Sequence, residues 1–89
     1  MQGIESVGHS LESLDCVGCG LVSIEDCFNE MVALRSLNLG ENSITQIKNL
    51  NNCVMLEKLH LYSNAIEQIN GLQACLSLKE LNISDNQIC

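Results

Sequence analysis

Leucine and isoleucine recur along this chain in a frame that repeats every 22 residues. Leu34, Leu37, Leu39, Asn42, Ile44, Ile47, Leu50 and Cys53 are followed 22 positions on by Leu56, Leu59, Leu61, Asn64, Ile66, Ile69, Leu72 and Cys75. A third copy opens at Leu78 and continues through Leu81, Ile83, Asn86 and Ile88. Upstream, Leu11, Leu14, Cys16, Cys19, Leu21 and Ile24 fit the same frame with Cys in the Asn position, and one extra residue before Leu34 makes that repeat 23 long. Ile4 and Val7 read as the tail of a preceding repeat. The frame predicts a single unit over 1–89, with a tail over 1–10, repeats over 11–33, 34–55 and 56–77, and a truncated repeat over 78–89.

Within each repeat the L-x-L alternation has the period of a β-strand, so two leucines point inward while their neighbours point out. Strands are predicted near 13–16, 36–39, 58–61 and 80–83. Strands separated by crossovers of a dozen or more residues run parallel, and their crossovers are right-handed. The predicted fold is therefore α/β, a right-handed solenoid with a curved parallel sheet on its concave side and short helices or helical turns on its convex side. Asn42, Asn64 and Asn86 follow the strands where the backbone must turn, and an amide that donates and accepts can satisfy turn peptides of successive rungs. Ser23-Ile24-Glu25-Asp26 has the form of an N-cap with acids in the first turn, and Ile24, Cys27, Phe28 and Met31 recur at helical spacing. A helix is predicted over 24–33, with one or two helical turns in each of the shorter, Asn-rich crossovers 46–55 and 68–77.

The pattern L-x-x-L-x-L-x-x-[N/C]-x-[IL] spelled out by these residues resembles the leucine-rich-repeat family over nearly the whole chain. Its length and its I-x-x-L-x-x-[CL] second half are similar to the 22-residue subclass found in a protein phosphatase 1 regulatory subunit, a spliceosomal leucine-rich protein and an axonemal dynein light chain. The resemblance implies a leucine-rich-repeat solenoid that serves as a non-catalytic protein-protein interaction scaffold. It implies partners such as a phosphatase, a spliceosomal subunit or a cytoskeletal motor, without choosing among them.

Composition narrows the partner. Four Lys and Arg against eleven Asp and Glu give a formal charge of −7, which repels phosphate backbones and anionic lipid. Arg35, Lys48, Lys58 and Lys79 are scattered, so no polybasic segment marks a membrane surface, and no apolar run approaches the ~20 residues of a span. The expected partner is another protein, not nucleic acid or membrane, with no cofactor. The opening Met1-Gln2-Gly3-Ile4-Glu5-Ser6 lacks the basic and apolar regions of a secretory signal, so a cytoplasmic setting is expected, with cytoskeletal or nuclear association compatible. The only aromatics are Phe28 and Tyr62, which leaves the core to aliphatic side chains, Cys and Met.

Six cysteines in 89 residues raise the question of disulfides or metal. Cys16-x-x-Cys19 has the spacing of half a zinc site or a redox pair, with Cys27 and His9 as further candidates. The frame instead assigns Cys16 to the inward Leu slot and Cys19 to the Asn slot, and no second C-x-x-C completes a tetrahedron, so no metal is expected. Cys53 and Cys75 share one slot and are expected to stack as buried thiols on the convex side. His9, read as a loop residue, and His60 are the only imidazoles, and neither shares a motif with a nucleophile, so no catalytic group is assigned. An enzyme regulated through Cys16 and Cys19 ranks last, because no base lies near either in sequence.

The outward strand slots form columns: Glu12, Arg35, Glu57 and Lys79; Ser13, Ser36, Lys58 and Glu80; Asp15, Asn38, His60 and Asn82. The first alternates in charge, as a cross-strand ladder does. The third, with Tyr62 at the strand exit, is the candidate partner-binding site: Asn38, His60, Tyr62 and Asn82, flanked by Arg35, Lys58 and Glu80 for charged hydrogen bonds. The bland reading of Tyr62 is a turn residue packed on its own rung. Both ends lack a polar capping repeat, so apolar ends at Leu11/Leu14 and Leu81/Ile83/Ile88 are expected to be covered or to self-associate. The alternative function is a structural segment of a large assembly, cytoskeletal or ciliary, that packs through its ends and edges.

Overall fold

The computed structural model describes residues 10–88. The readings of Ile4 and Val7 as a repeat tail and of His9 as a loop residue lie outside the described residues. Four short strands, β1 (Ser13–Asp15), β2 (Ser36–Asn38), β3 (Lys58–His60) and β4 (Glu80–Asn82), form one parallel sheet in the order of the chain. Leu14, Leu37, Leu59 and Leu81 stand in register across it. Each strand ends one residue before its predicted limit. Pairing nevertheless runs on, because the amides of Cys16, Leu39 and Leu61 donate to the carbonyls of Asn38, His60 and Asn82 in the next rung.

Past the strands the backbone turns through one slot with left-handed geometry, occupied by Gly18, Glu41, Ser63 and Asp85 at φ of 67, 57, 56 and 56°. For a non-glycine residue that conformation costs about 1–2 kcal/mol, so something must hold it. The asparagines do. Asn64 Nδ2 donates to the carbonyls of Leu61 and Tyr62 in its own rung and of Leu39 in the rung before, while its Oδ1 accepts from Ile44 N–H. Asn42 and Asn86 repeat this pattern on their rungs.

Behind the sheet lies a column-stacked aliphatic core that includes Leu34 and Leu56, Leu37 and Leu59, Leu39 and Leu61, Ile44 and Ile66, and Cys53 with Cys75. Each fully buried Leu or Ile contributes roughly 1.5–3 kcal/mol. Burial needs a rung on both sides: Ile47 is 2% exposed, whereas Ile69, in the same slot one rung later, is 53% exposed.

The convex side departs from expectation. The predicted helix over 24–33 is a 3-10 helix of five residues, Asp26–Glu30, and Ser23 does not cap it: the N-cap is Glu25, which makes no side-chain capping bond. The one or two helical turns predicted in each of 46–55 and 68–77 are two successive turns, each closed by a bond to the third residue back, and the described residues contain no α-helix. The reason is a buried period of three rather than 3.6. Phe28, Met31 and Leu34 are buried at that spacing, as are Leu50, Cys53 and Leu56. Hydrogen bonds follow it, from Met31 N–H to Phe28 O, Leu34 N–H to Met31 O, Cys53 N–H to Leu50 O and Leu56 N–H to Cys53 O. A tighter winding rises about 2.0 Å per residue against about 1.5 Å for an α-helix, so a short crossover covers the return path along the rung.

Close rung packing also explains Gly71. It lies at φ 78°, and a methyl group there would collide with the Ile47 carbonyl. Asn49, in the same slot one rung earlier and at φ 63°, reaches the equivalent carbonyl of Ile24 with its side-chain amide at 2.6 Å.

The open face of the sheet as a candidate functional site

The strand residues that point away from the core form the open face, and the structure sets their neighbours by register. Arg35 lies between two acids: its Nη1 is 3.0 Å from Glu57 Oε2 and its Nε is 3.9 Å from Glu12 Oε1. Among the described residues Lys79 makes no ion pair, so the charge ladder holds for three of its four members. All three partners are at least one third exposed or close to it, a setting in which such pairs contribute little.

The second and third columns meet on a diagonal. His60 Nε2 and Glu80 Oε2 lie 2.6 Å apart, and the hydrogen bond from His60, with lesser help from its charge and that of Lys58, holds the Glu80 carboxyl below the usual carboxylate range. The Tyr62 ring lies 6.4 Å from the His60 ring, tilted by 58°. Tyr62 is half-buried because it packs across Gly40 of the preceding rung, where any β-carbon would strike the ring. Glycine at 40 therefore makes room for tyrosine at 62. Tyr62 packs on the neighbouring rung, not merely its own, and keeps part of its surface in water.

His60, Tyr62 and Glu80 thus form one cluster, with Lys58 beside it. Asn38 and Asn82 stand in the expected column, but their Oδ1 atoms are occupied: Asn38 accepts from Gly40 N–H at 3.0 Å and Asn82 from Ser84 N–H at 3.1 Å. Asp15 does the same with Val17 N–H. These are Asx turns that start the bend after each strand. The signal for them was present in sequence as Asp or Asn recurring three residues before the turn slot; His60 breaks the series, and only its side chain is released to the face.

On the opposite side Cys53 and Cys75 are buried free thiols that donate weakly to the carbonyls of Phe28 and Leu50. Burial, and then the neighbouring Cys75, pushes the Cys53 thiol up to about 11. The repeat frame gives no role to a second feature of this side. Val32, Val54 and Leu76, 22 residues apart, are all exposed, Leu76 by 88%. Among the described residues no group of three or more His, Cys, Asp or Glu side chains is arranged to hold a metal ion, and no helix is long and apolar enough to cross a membrane.

A model of the Leucine Rich repeat family matches residues 74–88. Among solved structures the chain is similar to an internalin, inlF, of Listeria monocytogenes, with a TM-score of 0.82 and 30% identity over 94% of this chain and 24% of that one. It is also similar to internalin C2, inlC2, of the same organism, with a TM-score of 0.71 and 19% identity over 97% of this chain and 48% of that one, a likeness of fold alone. The chain thus spans about a quarter of the first and about half of the second. No curated protein sequence matches it significantly.

Proposed function

Because the chain is a leucine-rich-repeat solenoid, we propose that it is a non-catalytic protein-interaction scaffold whose partner docks on the open, concave face of the sheet. The observation that carries this reading is the cluster of His60, Tyr62 and Glu80, three side chains already held in position by a 2.6 Å hydrogen bond and by packing on Gly40. A side chain ordered before binding loses less entropy on binding, which favours affinity. Tyr62 is amphipathic and keeps its exposed edge beside an imidazole, the kind of anchor enriched at interface centres.

Charge supports the same face. Three of the four basic residues, Arg35, Lys58 and Lys79, belong to it and stand against Glu12, Asp15, Glu57 and Glu80. The other described acids, Glu25, Asp26, Glu30, Glu41, Glu67 and Asp85, lie off the strands with Lys48 as their only base. The face is therefore close to neutral and mixed in sign while the remainder of the surface is acidic, which suits a protein surface better than a polyanion. Four strands at about 4.8 Å spacing give a face roughly 15 Å across, enough for one short helix or strand of a partner.

The exposed apolar column Val32, Val54 and Leu76 favours a second reading, a structural segment that packs by its convex edge into a larger assembly. Proximity labelling with the wild-type chain, with a His60→Ala/Tyr62→Ala variant and with a Val54→Ser/Leu76→Ser variant separates the two, circular dichroism checking that all are equally folded. Loss of specific partners with the first variant alone supports the concave-face scaffold. Loss with the second alone rejects that face and supports the structural segment.

A further inference from the structure

The first rung makes its bend differently from the others. In the later rungs the turn closes on Asn42, Asn64 or Asn86, whose amide reaches three carbonyls; in the first, Cys19 fills that slot and its thiol reaches only Val17 O, at 3.9 Å. Val17 and Gly18 are the central residues of a turn whose ends are Cys16 and Cys19. The ends of a four-residue turn lie within about 7 Å, and a disulfide spans Cα separations of about 4.4–6.8 Å.

Three further observations fit a reactive pair. Cys19 is exposed and Cys16 half-buried behind it. The positions around Gly18 and Gly20 are open, with nothing within 4 Å of where a β-carbon would stand, so a small molecule can approach. Asn42 fixes both flanks, donating to Cys16 O and accepting from Leu21 N–H, each at 3.0 Å, so the segment carrying the pair is anchored before any bond forms.

We propose that Cys16 and Cys19 form a reversible dithiol–disulfide site, oxidised by low-molecular-weight disulfides such as oxidised glutathione, that closes the first-rung turn covalently. Cys19, as thiolate, attacks one sulfur of the small disulfide; the first glutathione leaves as a thiolate and takes up a proton, giving a mixed disulfide. Cys16 then loses its proton and attacks the Cys19 sulfur, and the second glutathione leaves and is protonated. Two protein thiols are oxidised to one disulfide while one small disulfide is reduced to two thiols, so atoms and electrons balance. The order follows from access, and from the Cys16 thiol, which burial first and its Cys19 neighbour second push up, making it the poorer first nucleophile. Cys53 and Cys75 are buried in the core and should remain thiols.

The test equilibrates the full chain in glutathione buffers of stepped redox ratio, traps free thiols by alkylation and maps the peptides by mass spectrometry. The expected result is the loss of two of the six alkylatable thiols, with a bond between Cys16 and Cys19 that dithiothreitol reverses. Cys16→Ser should convert the product into a persistent glutathione adduct on Cys19, and Cys27→Ser should leave pair formation unchanged. The proposal is overturned if glutathione stays on Cys19 in the wild-type chain, if the bond joins Cys27 to either partner, or if the pair forms in denaturant but not in the folded chain.

Discussion

At the scale of single residues, the thiol of Cys53 shows how a slot in a repeat becomes a physical constraint. It is fully buried, donates to Phe28 O, and its pKa is pushed from 9.0 to about 11 by burial and then by Cys75. The folded chain therefore holds this proton more tightly than the unfolded one. The resulting stability is fully present below pH 9 and is lost as the pH rises through about 11. Urea unfolding across that range should show falling stability in the wild-type chain and a flatter profile in Cys53→Ala. An unchanged slope in the variant would mean that the alkaline loss arises elsewhere. The buried character of Cys53 was legible in the sequence, because the slot recurs at Cys75. The Asx roles of Asn38 and Asn82 were not read there, since a column of polar residues on a strand has the same appearance whether its side chains face a partner or their own turn.

At the scale of elements, the bend that follows each later strand is tied to the rung before by an asparagine at positions 42, 64 and 86. Asn64→Ala would leave the buried-side Ile44 N–H without its partner and take one of two amide donors from the Leu39 carbonyl, which keeps Asn42. An unsatisfied group of this kind costs about 1–3 kcal/mol, so the variant should lose roughly 2 kcal/mol or more. Asn64→Asp keeps an acceptor for Ile44 but turns a carboxylate toward the carbonyls of Leu39, Leu61 and Tyr62, and should be worse at neutral pH. Denaturant midpoints of the two variants check this; an aspartate as stable as the wild type would show that the donor half of the ladder is dispensable. The helix expected over 24–33 illustrates the opposite case. Ile24, Cys27, Phe28 and Met31 satisfy an α-helical spacing, yet Phe28, Met31 and Leu34 satisfy a period of three equally well, and a short run does not choose between them.

At the scale of the whole molecule, stability in a solenoid is a sum over rungs and their neighbours. Leu59 has a rung on either side and is fully buried, whereas Leu81, in the same slot on β4, is 36% exposed. Leu59→Ala should cost about 2–5 kcal/mol, the range for removing a buried leucine, and Leu81→Ala less than half as much. Equal losses in thermal unfolding would show that β4 is as enclosed as β3. Hydrogen exchange should follow the same gradient, with amides of β2 and β3 protected longest.

The 22-residue period by itself determined the strands, the residues that face the core, the parallel order and the asparagine slots, because these depend on local alternation and on a return path that every rung shares. The internal packing of the crossovers was a tertiary decision. Whether a crossover winds as an α-helix or as three-residue turns depends on how far it must reach beside its neighbour, a length that exists only once rungs are stacked. The same holds for the open face. Sequence brought His60 and Tyr62 together, but the contact of Tyr62 with Gly40 and the bond from His60 to Glu80 arise from the register between adjacent rungs.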